Sequence, residues 1–164
     1  MPPRNHKQWS SAPRIEAISS RAYNNYEVYK QEQELIFSKV WVPMCHISEM
    51  YDTGEFRTTQ IAGVNVIAVN DYNGVRAFRD HPIQQVSGCL SCPYEGNEIH
   101  CEVKHGGMVW VTLDPNPTQS VEEWTAGAFD CIADAIDTEE LEVFHYHKAV
   151  IDTNYKLWHD TNSE

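Results

Sequence analysis

Cys89, Cys92 and Cys101 fall within 13 residues of one another, and His100 and His105 lie alongside. Thiolates and imidazoles at short spacing are the donors that hold zinc or iron. Cys89 and Cys92 form a Cys-x-x-Cys pair, and Cys101 with His105 makes a Cys-x3-His pair. Together they compose a closed Cys3His set of the kind that binds structural zinc. A redox role for Cys89 and Cys92 is disfavoured. A reactive dithiol wants a helix N-terminus to lower its thiol pKa, and Pro93-Tyr94-Glu95-Gly96 is a turn. Cys45 and Cys131 stand in apolar stretches and read as small buried hydrophobes. His145 and His147 share one face of a predicted strand and read as solvated side chains.

The elements that must position these donors follow from hydrophobic period and punctuation. Residues 1–20 are polar and aperiodic and read as a flexible arm. Asn24-Asn25 caps a helix to about Val40, with Val28, Leu35, Ile36 and Val40 near helical spacing. After Pro43 the period becomes two. Phe56–Ala62 and Val64–Asn70 are strands joined across Ala62-Gly63, and Val75–Phe78 is a third strand of the meander. Residues 80–106 lose all periodicity and collect Cys, His, Gly and Pro. Gly107–Leu113 is an apolar strand. Ser120 and Glu123 form a capping box for a helix to about Ile136, and Leu141–Ile151 alternates as a further strand. The order predicts an α+β chain built on a small antiparallel β-barrel or sandwich with flanking helices.

At 164 residues the chain is large enough to bury a core, and its 41% hydrophobic and 22% charged residues suit a soluble globular protein. A net charge of -12 leaves nothing to neutralise a row of phosphates or to hold an anionic membrane. An odd cysteine count with no signal-peptide h-region is a poor disulfide framework, so a cytoplasmic chain without nucleic-acid or membrane partners is expected.

Several segments, taken in order, resemble one family. Glu34-Leu-Ile-Phe37-Ser-Lys-Val-Trp41, Asp52–Gly63, Val75-Arg76-Ala77-Phe78-Arg79-Asp80, Gly106–Pro115 and Asn154-Tyr155-Lys156-Leu157-Trp158 are similar to the N-terminal part of the alpha subunit of Rieske non-haem iron ring-hydroxylating oxygenases. Cys92-Pro-Tyr-Glu95-Gly resembles the second ligand loop of a Rieske domain, with Glu95 where that family has histidine. The resemblance implies a Rieske-like barrel with leading helix over 21–117, with a shortened cluster lobe. It also implies the start of a truncated catalytic domain over 118–164.

By the same resemblance, His81 and Cys92 match cofactor-binding positions, while one Cys and one His of the family set have no match. Three readings of the loop stay open. Substitute ligands complete a [2Fe-2S] cluster (Cys89, Cys92, His81 and one of His100 or His105); or Cys89, Cys92, Cys101 and His105 hold zinc; or the thiols bind nothing. The family role is electron transfer to a mononuclear iron for oxygen-dependent hydroxylation in aromatic catabolism, with a ferredoxin or reductase donor and a homo-oligomeric assembly. The facial triad of two histidines and a carboxylate has no counterpart here: His159 does not match it, and the chain stops at Asp160–Glu164. A non-catalytic binding or assembly module on the same scaffold, zinc-stabilised in one variant, is the alternative.

Overall fold

In the computed structural model, residues 19–80, 97–130 and 141–162 are described. Two units separate: Tyr29–Val150, and Met1–Val28 together with Ile151–Glu164.

The larger unit is built on six antiparallel strands: β1 Val42–His46, β2 Phe56–Ile61, β3 Val64–Asp71, β4 Gly74–Arg79, β5 Asn97–Lys104 and β6 Met108–Thr112. Their order is β1-β6-β5-β4-β3-β2. The terminal strands β1 and β2 also touch each other, so the sheet curls into a near-barrel. The predicted meander is present as β2, β3 and β4. Ala62 and Gly63 both take positive φ (49° and 77°), the two-residue turn whose twist matches the strands it joins. Pro43 sits on β1, an edge strand that tolerates a missing N–H, and the β1–β6 register slips between Pro43 and Cys45.

Alternation decides which face of the sheet is filled. Val66, Ala68, Ala77, Val109, Val111, Cys45, Met50 and Ile61 form one core inside the curl. On the other face, Ile67, Val69 and Phe78 pack with Phe56. Behind β6, Trp41, Trp110 and Val121 form a third cluster, flanked by Met108 and Phe129. Trp41 Nε1 donates to the Gln119 carbonyl at 2.9 Å, pinning the loop that enters the next helix.

The helices are shorter than the sequence pattern implies. After a four-residue turn of helix, α1 Arg21–Asn24, Asn25 accepts from the Glu27 N–H at 2.9 Å and opens α2 Tyr26–Glu32. The predicted run to Val40 instead loosens into a π-turn over Gln33–Phe37, closed by Ser38 N–H to the Gln33 carbonyl. The capping box is present: the Ser120 amide donates to Glu123 Oε2 at 2.9 Å, and the Glu123 amide to Ser120 Oγ at 3.3 Å. That helix, α3 Val121–Thr125, stops because Ala126 and Gly127 turn left-handed (φ 47° and 78°). Its predicted continuation over residues 131–136 lies outside the described residues.

Two expectations need correction. Residues 97–104, placed in an aperiodic loop, are β5, because Ile99, Cys101 and Val103 alternate with polar residues and β4 and β6 supply partners on both sides. Residues 141–151, placed in a strand, are not a strand and join no ladder among the described residues.

In the smaller unit, α4 Tyr155–Asn162 follows Asn154, whose side chain donates to the Tyr23 carbonyl at 2.8 Å and caps the Lys156 amide. Tyr23 donates to Asp160 at 2.7 Å, and that carboxylate raises the phenol pKa. Asp160 is thus a structural partner in this unit.

Candidate functional site

β4 and β5 pair as far as Arg79↔Asn97, which brings the two ends of the 80–96 segment together at one end of the ladder. His81, Cys89 and Cys92 lie on that segment, outside the described residues. The remaining donors lie on described elements, and the strand period scatters them. Cys101 pairs with Val111 and points into the inner core. Burial, and then the neighbouring Cys45 thiol, push its pKa up to about 12. Cys45 is likewise pushed up to about 12, first by burial and then by the Glu49 carboxylate, with Arg57 opposing.

His100, the next residue, faces the other way. It lines a cavity of about 550 Å³ that Cys101 also borders, together with Arg79 and Asn97, the two residues that bracket the 80–96 segment. Its Nε2–H donates to the Pro115 carbonyl at 3.2 Å, which leaves Nδ1 open as an acceptor. The neighbouring Arg76 is committed elsewhere: it holds Glu98 through two contacts of 2.8 Å and Asp71 at 3.3 Å, and its charge lowers the Glu98 pKa.

His105 stands at the far end of β5, in the three-residue turn to β6, with φ 53°. It stacks on Phe129 (centroids 4.6 Å apart), meets Trp110 edge-on at 5.9 Å, and shares a 3.2 Å hydrogen bond with Thr125 Oγ1. The Thr125 hydroxyl donates to the Glu122 carbonyl, so it accepts from His105 Nε2–H. Cys101 and His105 therefore serve packing in two different places, and the Cys101-x3-His105 half of the zinc set is not brought together. Among the described residues, no three His, Cys, Asp or Glu side chains converge on a point that could hold a metal.

A histidine that sequence reasoning passed over is among the most constrained. His46 Nδ1 accepts the Ser48 amide at 3.2 Å and meets Ser48 Oγ at 2.9 Å, while Nε2–H donates to the Gly106 carbonyl at 2.6 Å. Both ring nitrogens are thus used within the fold. A Cβ on Gly107 (φ +99°) would stand 2.6 Å from His46 Nε2. The signal available beforehand was the Gly106-Gly107 doublet, which marks a turn that something approaches closely.

The curled antiparallel sheet, its short helices and the long sequence interval between β4 and β5 define the class: a Rieske-like β-domain with sparse flanking helices. The comparisons give the family. The chain is 39% identical to the methanesulfonate monooxygenase hydroxylase alpha subunit of Methylosulfonomonas methylovora, over all of this chain and 52% of that protein. It is 26% identical to the 2-aminobenzenesulfonate 2,3-dioxygenase alpha subunit of Alcaligenes sp., over 88% of this chain and 47% of that one. In fold it is similar to naphthalene 1,2-dioxygenase from Rhodococcus sp. (TM-score 0.70, 21% identity, 88% of this chain and 42% of that chain). The quaternary ammonium Rieske monooxygenase CntA with γ-butyrobetaine gives a TM-score of 0.60 at 21% identity, over 71% and 44% of the two chains. No protein-family model matches.

The homologues and structural neighbours of this chain are the alpha subunits of Rieske non-haem iron oxygenases, and it is a fragment or paralogue of that type. The chain spans about half the length of the curated relatives it matches. That family implies, in general, a [2Fe-2S] centre and a mononuclear iron, electron-donor partners and oligomeric assembly. Among the described residues no helix is long and apolar enough to cross a membrane.

Proposed function

We propose that the chain is an oxygenase alpha-subunit scaffold that keeps the Rieske-type sheet and has lost the family's cluster site. The carrying observation is the distribution of donors. A [2Fe-2S] centre of this type takes two thiolates on one iron and two imidazoles on the other. Cys45 is buried in apolar core and Cys101 is packed against that core, His46 has both nitrogens engaged, and His105 is stacked on Phe129. These residues do not fit such a centre.

His100 is the described donor placed beside the root of the 80–96 segment, which carries His81, Cys89 and Cys92. Residue types alone would allow those four, but not at family spacing: Glu95 stands in the place of a histidine, and no cysteine lies two residues before His81. A carboxylate is a hard oxygen donor and does not replace an imidazole on cluster iron. Length supports the same reading. The alignment with the methanesulfonate monooxygenase subunit runs over 217 residues, of which this chain supplies 164. The run from Arg79 to Asn97 is the longest interval between consecutive strands of the sheet, and the family resemblance assigns the shortened cluster lobe to it.

The role of the whole family, electron transfer from a ferredoxin or reductase to a mononuclear iron for oxygen-dependent hydroxylation, then belongs to this chain by descent. Residues 118–164 would open the catalytic half. Iron, zinc and acid-labile sulfide per chain, measured on anaerobically purified protein, test the proposal. The expected result is a folded, colourless protein with neither iron nor sulfide in stoichiometric amount. About two irons and two sulfides per chain would overturn it, with His100→Ala bleaching the chromophore and Cys101→Ser sparing it. Stoichiometric zinc without sulfide would move the reading to a zinc-stabilised module built on Cys89, Cys92 and His100.

A further inference from the structure

The turn that joins β3 to β4 sets an asparagine directly before a glycine. The two strands pair as far as Asp71↔Gly74, which leaves Tyr72 and Asn73 as the loop, and Tyr72, Asn73 and Gly74 are exposed. Gly74 takes φ +108°, a conformation that side chains rarely adopt, and a Cβ built there would meet nothing within 4 Å. The Asn73 amide forms no hydrogen bond among the described residues.

We propose that Asn73 is a modification site, which deamidates through a cyclic imide without an enzyme. The Gly74 backbone nitrogen gives its proton to hydroxide and bonds to Asn73 Cγ. The Cγ–Nδ2 bond breaks, and ammonia leaves with a proton taken from water. The five-membered imide then adds water at one of its two carbonyls. Opening at Cγ yields aspartate; opening at the main-chain carbonyl yields isoaspartate, whose backbone runs through Cβ and Cγ. The net change exchanges water for ammonia, so no oxidant, reductant or partner protein is needed.

The structure sets Asn73 apart from the other asparagines. Asn25 Oδ1 accepts the Glu27 amide at 2.9 Å, and Asn70 Nδ2 donates to the Met50 carbonyl at 2.8 Å. Asn154 donates to the Tyr23 carbonyl and accepts the Lys156 amide. Asn73 is also the one asparagine in the sequence that glycine follows. Without a side chain, residue 74 neither crowds the attack nor restricts the backbone rotation it requires. Gly74 stands at the end of the ladder, so the turn opens for the attack while the rest of the sheet stays paired. The product places a new carboxylate close to Asp71, which accepts the Tyr72 amide at 2.6 Å and holds Arg76 at 3.3 Å. The inference stands on this turn alone and is independent of any cluster.

Incubation of the full chain at mildly alkaline pH, followed by digestion and fragmentation mass spectrometry, reads the reaction residue by residue. Asn73 should show the mass gain of an amide-to-acid exchange before any other asparagine. Two products should separate, with isoaspartate identified as the substrate of an isoaspartyl methyltransferase. The gain should quicken as pH rises, because the Gly74 nitrogen must first lose its proton. The intact chain should acquire an acidic form on ion exchange at the same rate, and Asn73→Gln should abolish that form. Position 73 is exposed, so an unchanged melting temperature will show that the variant folds. An Asn73 still intact when other asparagines have converted, aspartate as the sole product, or an acidic form that persists in Asn73→Gln would each overturn the proposal.

Discussion

Gly107 concentrates what a single residue does in this fold. Its left-handed φ and the 2.6 Å approach of His46 Nε2 leave no room for a methyl group. Gly107→Ala should cost about 2–4 kcal/mol through backbone strain and overpacking. A thermal melt followed by circular dichroism would then fall by roughly 5–15 °C. The two core thiols make a second prediction at this scale. Cys45 and Cys101 hold their protons up to about pH 12 in the folded chain, against an ordinary thiol pKa of about 8.5 when unfolded. The raised folded value means that their contribution is fully present below pH 8.5 and is lost as pH rises towards 12. Stability should decline by about 1.4 kcal/mol per pH unit for each thiol across that window. Urea titrations at pH 8, 9 and 10 would show the decline, and Cys45→Ala/Cys101→Ala would flatten it. Mass-spectrometric mapping should likewise find both residues unalkylated until the chain unfolds. The sequence placed Cys45 correctly as a buried hydrophobe. It offered Cys101 as a metal donor because a residue list does not say which face of a strand a thiol occupies, and pairing with Val111 turned it inward.

At the scale of elements, local signals with a fixed geometry were legible. Ala62-Gly63 dictated a hairpin and Ser120-x-x-Glu123 a capped helix, and both stand where the residues put them. Ser120→Ala removes the acceptor for the Glu123 amide and should cost about 1 kcal/mol, read as a small drop in melting temperature. The pattern was less informative where partners decide. β5 carries a period-two pattern through Ile99, Cys101 and Val103, yet its polar alternates His100 and Glu102 look like ligands until β4 and β6 are seen on either side. Leu141–Val150 shows the reverse. It has strand-like alternation but joins no ladder among the described residues, so alternation alone does not make a strand.

At the scale of the whole molecule, the sheet and the chemistry separate. Six strands close three clusters of apolar side chains; of the described candidate ligands, Cys101 packs against the inner cluster and His105 stacks at the third. Resemblance along the chain identified the family because its segments lie on strands and turns whose packing constrains their residue types. The candidate ligands between Arg79 and Asn97 were harder to read, because residue type and spacing alone do not say which donors share a site. Removing metal with a strong chelator should accordingly leave the melting temperature unchanged; a fall would tie folding to a bound ion. The most direct test of the central claim is anaerobic reconstitution of the chain with ferrous iron and sulfide, followed by dithionite reduction and electron paramagnetic resonance. The account predicts no signal from a reduced [2Fe-2S] cluster and no visible chromophore. A stoichiometric Rieske-type signal would show that His81, Cys89, Cys92 and a fourth donor still assemble the site, and would contradict it.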